Sequence, residues 1–102
     1  MQTTIAAMTL YVIAQIDVHD DDAYEAYRRA VPAIIQAFGG RYLARGGRTE
    51  ALEGPATPGR TVILAFPDED AYRRFFGSAQ YAPYKALRNR VAESRVFTVQ
   101  GL

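Results

Sequence analysis

Apolar and polar residues alternate from Leu10 to Val18. Leu10, Val12, Ala14, Ile16 and Val18 fall on one side, and Tyr11, Ile13, Gln15 and Asp17 on the other. A period of two predicts a β-strand. Its second side is mixed rather than polar, which predicts that something covers it. The period changes after His19-Asp20-Asp21-Asp22. Tyr24, Tyr27, Val31, Ile34, Ile35 and Phe38 recur at three- and four-residue spacings and predict an amphipathic helix. An aspartate of the acidic run caps that helix, and the run complements the positive end of its dipole. Pro32 removes one helical hydrogen bond and predicts a kink over Arg28 to Val31. Gly39 is the expected stop.

Arg41 to Arg45 reads as the second strand, with the Gly46-Gly47 pair breaking its pleat as a bulge or bend. Arg48 to Glu53 continues in extended form, and Gly54-Pro55-Ala56-Thr57-Pro58-Gly59 is a turn-rich loop. Arg60 to Phe66 is almost unbroken in its apolar character and predicts a central strand covered on both faces. Pro67-Asp68 ends that strand and caps a helix whose buried face is Ala71, Tyr72, Phe75 and Phe76. Gly77-Ser78 interrupts the helix. A second helical piece follows, with Pro83 near its start and Tyr84, Leu87 and Val91 as its stripe. Arg95 to Gln100 is the last strand. Residues 1–9 read as a loose tail ahead of a single domain over residues 10–102.

The order strand, helix, strand, strand, helix, strand describes two βαβ halves. Asp22-Ala23-Tyr24 with Tyr27 is echoed by Asp70-Ala71-Tyr72 with Phe75. This predicts an α+β, ferredoxin-like βαββαβ fold, with a four-stranded antiparallel sheet and helices on one face only. The other face then exposes Tyr11, Ile13 and alternate residues of Tyr42-Leu43-Ala44 and Val62-Ile63-Leu64. Such a patch marks an interface. The expected partner is a second copy about a two-fold axis, a homodimer closing a dimeric α+β barrel.

Composition narrows the function classes. The net charge of +1 supplies no bulk attraction for nucleic acid or membrane. Zero cysteines remove disulfides, a thiol nucleophile and thiolate metal sites, and fit a cytoplasmic location. No apolar run approaches the roughly 20 residues of a spanning helix. The single histidine offers no metal cluster, and neither glycine pair has the strand-to-helix context of a phosphate loop or dinucleotide fingerprint. A site in this chain is therefore expected to work without a cofactor or metal.

Gly39-Gly40-Arg41-Tyr42-Leu43-Ala44-Arg45-Gly46-Gly47, then Leu52-Glu53-Gly54, Phe66-Pro67, Tyr81 and Arg88, form a pattern over about Leu10 to Gly101. It resembles the family catalogued as domain of unknown function 1330. The resemblance implies the dimeric α+β barrel fold, shared with small monooxygenases and muconolactone isomerase-like proteins, and no settled activity. Many relatives carry an aromatic residue shortly after the Leu-Glu-Gly. Pro55-Ala56 stands here instead, which implies a differently shaped pocket if that aromatic lines one.

His19, at the end of the first strand, could act as acid or base; in its acidic turn it could equally be a solvated or capping residue. Arg41 and Arg45, evenly spaced on one strand, are expected on a common face, with Tyr42 opposite. Over the barrel interior they would make a cationic site for a carboxylate or enolate; facing solvent they would be surface charges. Glu53 could orient one of them. Arg88 could close over the sheet edge, with a solvated helix arginine as the default. Tyr11, on the uncovered strand face, is expected to shape a cavity. The leading expectation is a site that binds or transforms a small anionic or carbonyl-containing metabolite. His19 and Arg45 would be its catalytic residues, and Tyr11, Arg41, Glu53 and Arg88 its ligand contacts. The alternatives are a non-catalytic sensing module and a purely structural dimer.

Overall fold

The computed structural model describes residues 8–56 and 59–102. Most of the expected tail, and two residues of the turn-rich loop, lie outside the described residues. The elements are β1 (Leu10–Val18), α1 (Asp21–Ala37), β2 (Arg41–Arg45), β3 (Arg60–Phe66), α2 (Glu69–Phe76), α3 (Ala82–Val91) and β4 (Ala92–Gln100). The sheet order is β2-β3-β1-β4, and every pair is antiparallel. This is the ferredoxin-like α+β arrangement, with the second helix delivered in two pieces.

The alternation in β1 determines the layers. Leu10, Val12, Ala14 and Ile16 are buried, while Tyr11, Ile13 and Gln15 on the opposite face are half-buried. Their ladder partners continue each face. Ala14 opposes Val62, Val12 opposes Leu64 and Leu10 opposes Phe66 on the covered side. On the other side Ile13 opposes Ile63 and Phe97, and Tyr11 opposes Val99. The covered side packs against Val31 and Ile35 of α1, Ala71 and Phe75 of α2 and Val91 of α3. Phe66 and Val31 are the large side chains with least exposure, 1% each. Each stabilises the fold by about 1.5–3 kcal/mol relative to the exposed state.

The helix starts follow from local chemistry. Asp20 accepts from the Ala23 amide at 3.0 Å, and Asp68 accepts from the Ala71 amide at 2.8 Å. Between α2 and α3 Ser78 makes the joint. Its Oγ donates to the Phe75 carbonyl at 2.8 Å and accepts from the Tyr81 amide at 3.1 Å. Gly40 brings α1 and β2 together closely. A Cβ there would lie 2.6 Å from the Phe66 ring and 2.8 Å from Ile35 Cγ2.

Three expectations are corrected. Arg48 to Glu53 forms no ladder and is irregular. The fourth strand starts at Ala92, directly after α3, rather than at Arg95. The break in the second strand comes earlier than Gly46-Gly47. Tyr42 opposes Leu64 and Ala44 opposes Ile63, so Leu43 is an extra residue, a β-bulge.

Candidate functional site

That bulge decides which arginine meets the helices. Arg41 opposes Ala65 on the helix-free face, whereas Arg45 opposes Val62 on the covered side together with Tyr42. The expected common face of Arg41 and Arg45 is thus wrong, because one inserted residue reverses the pleat. Arg45 stacks over the Tyr42 ring, 4.9 Å from its centroid, and its Nη2 donates to the Arg28 carbonyl of α1 at 2.6 Å.

Between the sheet and the helices lies a cavity of about 50 Å³. Val12, Ala14, Val62 and Leu64 form its floor. Tyr24 and Tyr27 of α1, Tyr72, Phe75 and Phe76 of α2 and Tyr81 just ahead of α3 form its walls, and among the described residues Arg28, Arg45, Arg60 and Arg88 supply all its formal charge. Among the described residues, no carboxylate or imidazole lines it.

Arg88 is the salient member. It is only 4% exposed, the one buried charged residue among those described. The ion pairs among the described residues join His19 to Glu93, Arg28 and Arg29 to Glu25, Arg73 to Glu69 and Arg74 to Asp70. None includes Arg88. Its partners are the hydroxyls of Tyr81 and Tyr27, which lie 2.7 Å apart in a hydrogen bond of their own. Burial alone would lower the Arg88 pKa, but the two tyrosine oxygens outweigh it and hold the group above its ordinary value. Burial, followed by the neighbouring Tyr81 oxygen, pushes the Tyr27 pKa well above the usual phenol range. Burial likewise raises Tyr24, Tyr42 and Tyr72. At neutral pH the pocket therefore presents hydroxyl donors and guanidinium cations, and no base.

Arg60 adds an unmet donor. Its Nη2 lies 3.4 Å from the Arg45 carbonyl and its guanidinium lies 5.9 Å from the Tyr24 ring centroid. Its Nε–H is buried without an acceptor. Gly46, with φ of +73°, makes this placement possible, since a Cβ there would stand 2.7 Å from Arg60 Nη2.

The remaining sequence candidates lie elsewhere. His19 is exposed in the turn after β1, its Nε2 3.5 Å from Glu93 of β4, and does not line the cavity. Tyr11 and Arg41 belong to the helix-free face. Glu53 is exposed on the irregular segment, beside a shallow hollow shared with Glu50 and Thr61, and joins none of the ion pairs among the described residues. The cavity thus gathers Arg45 and Arg88 from the sequence candidates and omits the others. Reasoning from sequence missed Tyr27, Tyr81 and Arg60. A signal was available: Arg60 is in phase with Val62, Leu64 and Phe66, and Arg88 with Tyr81, Tyr84 and Val91. A charge in phase with a buried stripe must be paired, functional or costly.

Residues 9–102 match the model of the family described as domain of unknown function DUF1330. The chain belongs to that family. No curated protein matches it. Among solved structures it is similar to a protein of unknown function from Rhodopseudomonas palustris, at 18% identity over 93% of this chain and 83% of that one, with a TM-score of 0.78. It is similar also to SnoaB, a cofactor-independent oxygenase from Streptomyces nogalater, at 13% identity over 94% and 95%, TM-score 0.62. A dimeric ferredoxin-like protein of unknown function from Thermobifida fusca matches at 13% identity over 98% and 97%, TM-score 0.67. At these identities the DUF1330 protein shares their fold, and the likeness reaches no further.

Proposed function

We propose that this DUF1330 protein binds a small anionic or carbonyl-containing metabolite in the cavity between sheet and helices. Arg88 receives the negative oxygen, Tyr27 and Tyr81 position the guanidinium, and Arg45 and Arg60 add positive potential. One observation carries the reading: Arg88 is 4% exposed and, among the described residues, has no carboxylate within ion-pair distance. An unpaired buried cation is expensive, and an anionic ligand is the partner that relieves it. Binding precedes turnover in this reading, because general acid–base chemistry needs a group that can take a proton and the lining offers none near neutrality. Turnover would fall to a ligand that is itself readily ionised, a reading favoured by the fold shared with a cofactor-independent oxygenase.

The site sits in each copy of a homodimer. Tyr11, Ile13, Ile63, Phe97 and Val99 share the helix-free face, with Phe97 46% and Val99 51% exposed. A second copy presenting the same face removes this patch from water. The dimeric description of the Thermobifida fusca protein supports that arrangement.

Ligand-observed NMR with a mixed panel of aliphatic and aromatic carboxylates and ketones tests the site. Saturable binding by wild type that is lost in Arg88→Met is the expected result. A panel in which no member binds wild type would remove the reading.

A further inference from the structure

Going beyond the metabolite reading, but starting from the same unpaired Arg88, we infer that the cavity is a halide site. A single chloride ion seats beside Arg88 as its counter-charge. Size sets the class. A water molecule needs about 10–15 Å³ of such volume, and benzene roughly 150 Å³. The cavity here measures about 50 Å³. On that scale it takes about two heavy atoms. A chloride ion is one atom, somewhat larger than a water molecule, and fits with the walls as they stand. An organic anion is larger and enters only as a wall moves, in competition with the ion.

Donors outnumber acceptors around that volume. Arg88 brings five N–H groups in a rigid fork. The phenol oxygens that face it are those of Tyr27 and Tyr81, and one already accepts from the other at 2.7 Å. Two such oxygens cannot accept from every N–H of the fork, and the hydroxyl proton not shared between them needs an acceptor as well. Arg60 lines the same cavity with its Nε–H buried and, among the described residues, without an acceptor. A spherical anion accepts from several directions at once, which suits donors arriving from α1, β3 and α3. Water would accept too, but it leaves the Arg88 charge uncompensated, and at 4% exposure solvent screens that charge little. Among the described residues no carboxylate lines the cavity to supply the counter-charge instead. The floor of Val12, Ala14, Val62 and Leu64 offers no donor, so the ion sheds water on that side. The cost of shedding water falls as an ion grows, which favours chloride or bromide over fluoride.

Chlorine NMR of sodium chloride solutions containing the intact protein tests this. Wild type is expected to broaden the chloride line. Bromide should reverse the broadening, and sulfate, too large for the cavity, should leave most of it at equal ionic strength. Arg88→Met is expected to weaken chloride binding about tenfold or more, the loss expected for hydrogen bonds to a charged group. Arg74→Met, which removes an exposed α2 arginine paired with Asp70, should leave it unchanged. No broadening by wild type, or equal broadening by Arg88→Met, would overturn the inference. Sulfate reversing the line as fully as bromide would overturn the single-atom class. Should Arg88→Met not fold, Tyr27→Phe keeps the ring and removes one hydroxyl that faces Arg88. It should weaken chloride several-fold, and unchanged affinity would sink the inference. The carboxylate and ketone panel, repeated in chloride-free buffer, reports separately on the metabolite reading. Panel binding without chloride broadening removes the halide alone, and chloride broadening without panel binding keeps the halide and removes the metabolite.

Discussion

Arg45 donates to the carbonyl oxygen of Arg28, 17 residues earlier in the chain, at 2.6 Å. That oxygen is the acceptor that Pro32 leaves without a helical N–H, since a proline at i cannot donate to the carbonyl at i−4. A defect in α1 is therefore repaired from β2. The repair depends on the Leu43 bulge, which turns Arg45 toward the helix layer.

This relationship predicts coupling. Arg45→Met should cost about 1 kcal/mol, the net worth of one hydrogen bond, because solvent at this exposed site screens the added worth of the charge. In a Pro32→Ala background the restored amide satisfies Arg28, and the same substitution should cost appreciably less. Urea denaturation of the four proteins gives the cycle. Additive effects would show that the two residues act independently.

The tyrosine layer predicts a loss of stability at high pH. Tyr27 has its folded-state pKa raised by burial and by Tyr81. An unfolded tyrosine titrates near pH 10. Above that pH the unfolded chain releases a proton that the folded chain keeps, so the stabilisation present below pH 10 is lost as pH rises. The slope is about 1.4 kcal/mol per pH unit for this one residue. Urea midpoints at pH 8, 10 and 11 should fall in that order, and Tyr27→Phe should flatten the fall.

The uncovered sheet face predicts the assembly. Phe97→Asp puts a charge opposite Ile13 at the centre of the patch and leaves the helix-side core untouched. Sedimentation should give twice 11.3 kDa for wild type and 11.3 kDa for the variant. A wild-type protein sedimenting as a single copy would remove the dimer.

Gly40 and Gly47 form an internal control on packing. Gly40→Ala drives a methyl into Phe66 and Ile35 and should destabilise by about 1–3 kcal/mol. Gly47→Ala meets nothing within 4 Å and should change stability by less than about 0.5 kcal/mol. Thermal unfolding of both, compared with wild type, measures the contrast.

The chain by itself determined its elements and their order. The period-two run of β1, the three- and four-residue stripe of α1, and the aspartates at both helix starts are local signals. They reflect which face a residue meets and which amide a side chain can reach. Those signals also implied a one-sided helix layer, because βαβ connections leave few alternatives. The site was another matter. Arg41 and Arg45 look equivalent in a list of residues, and only the strand register shows that a single extra residue sends them to opposite faces. Arg88 resembles any helix arginine until Tyr27 of α1 and Tyr81, just ahead of α3, enclose it. His19 looked the best catalyst by residue type, yet the turn that holds it points to Glu93 and away from the cavity. Periodicity is written in neighbours along the chain, whereas burial of a charge depends on residues more than fifty positions apart, which only the packed fold brings together.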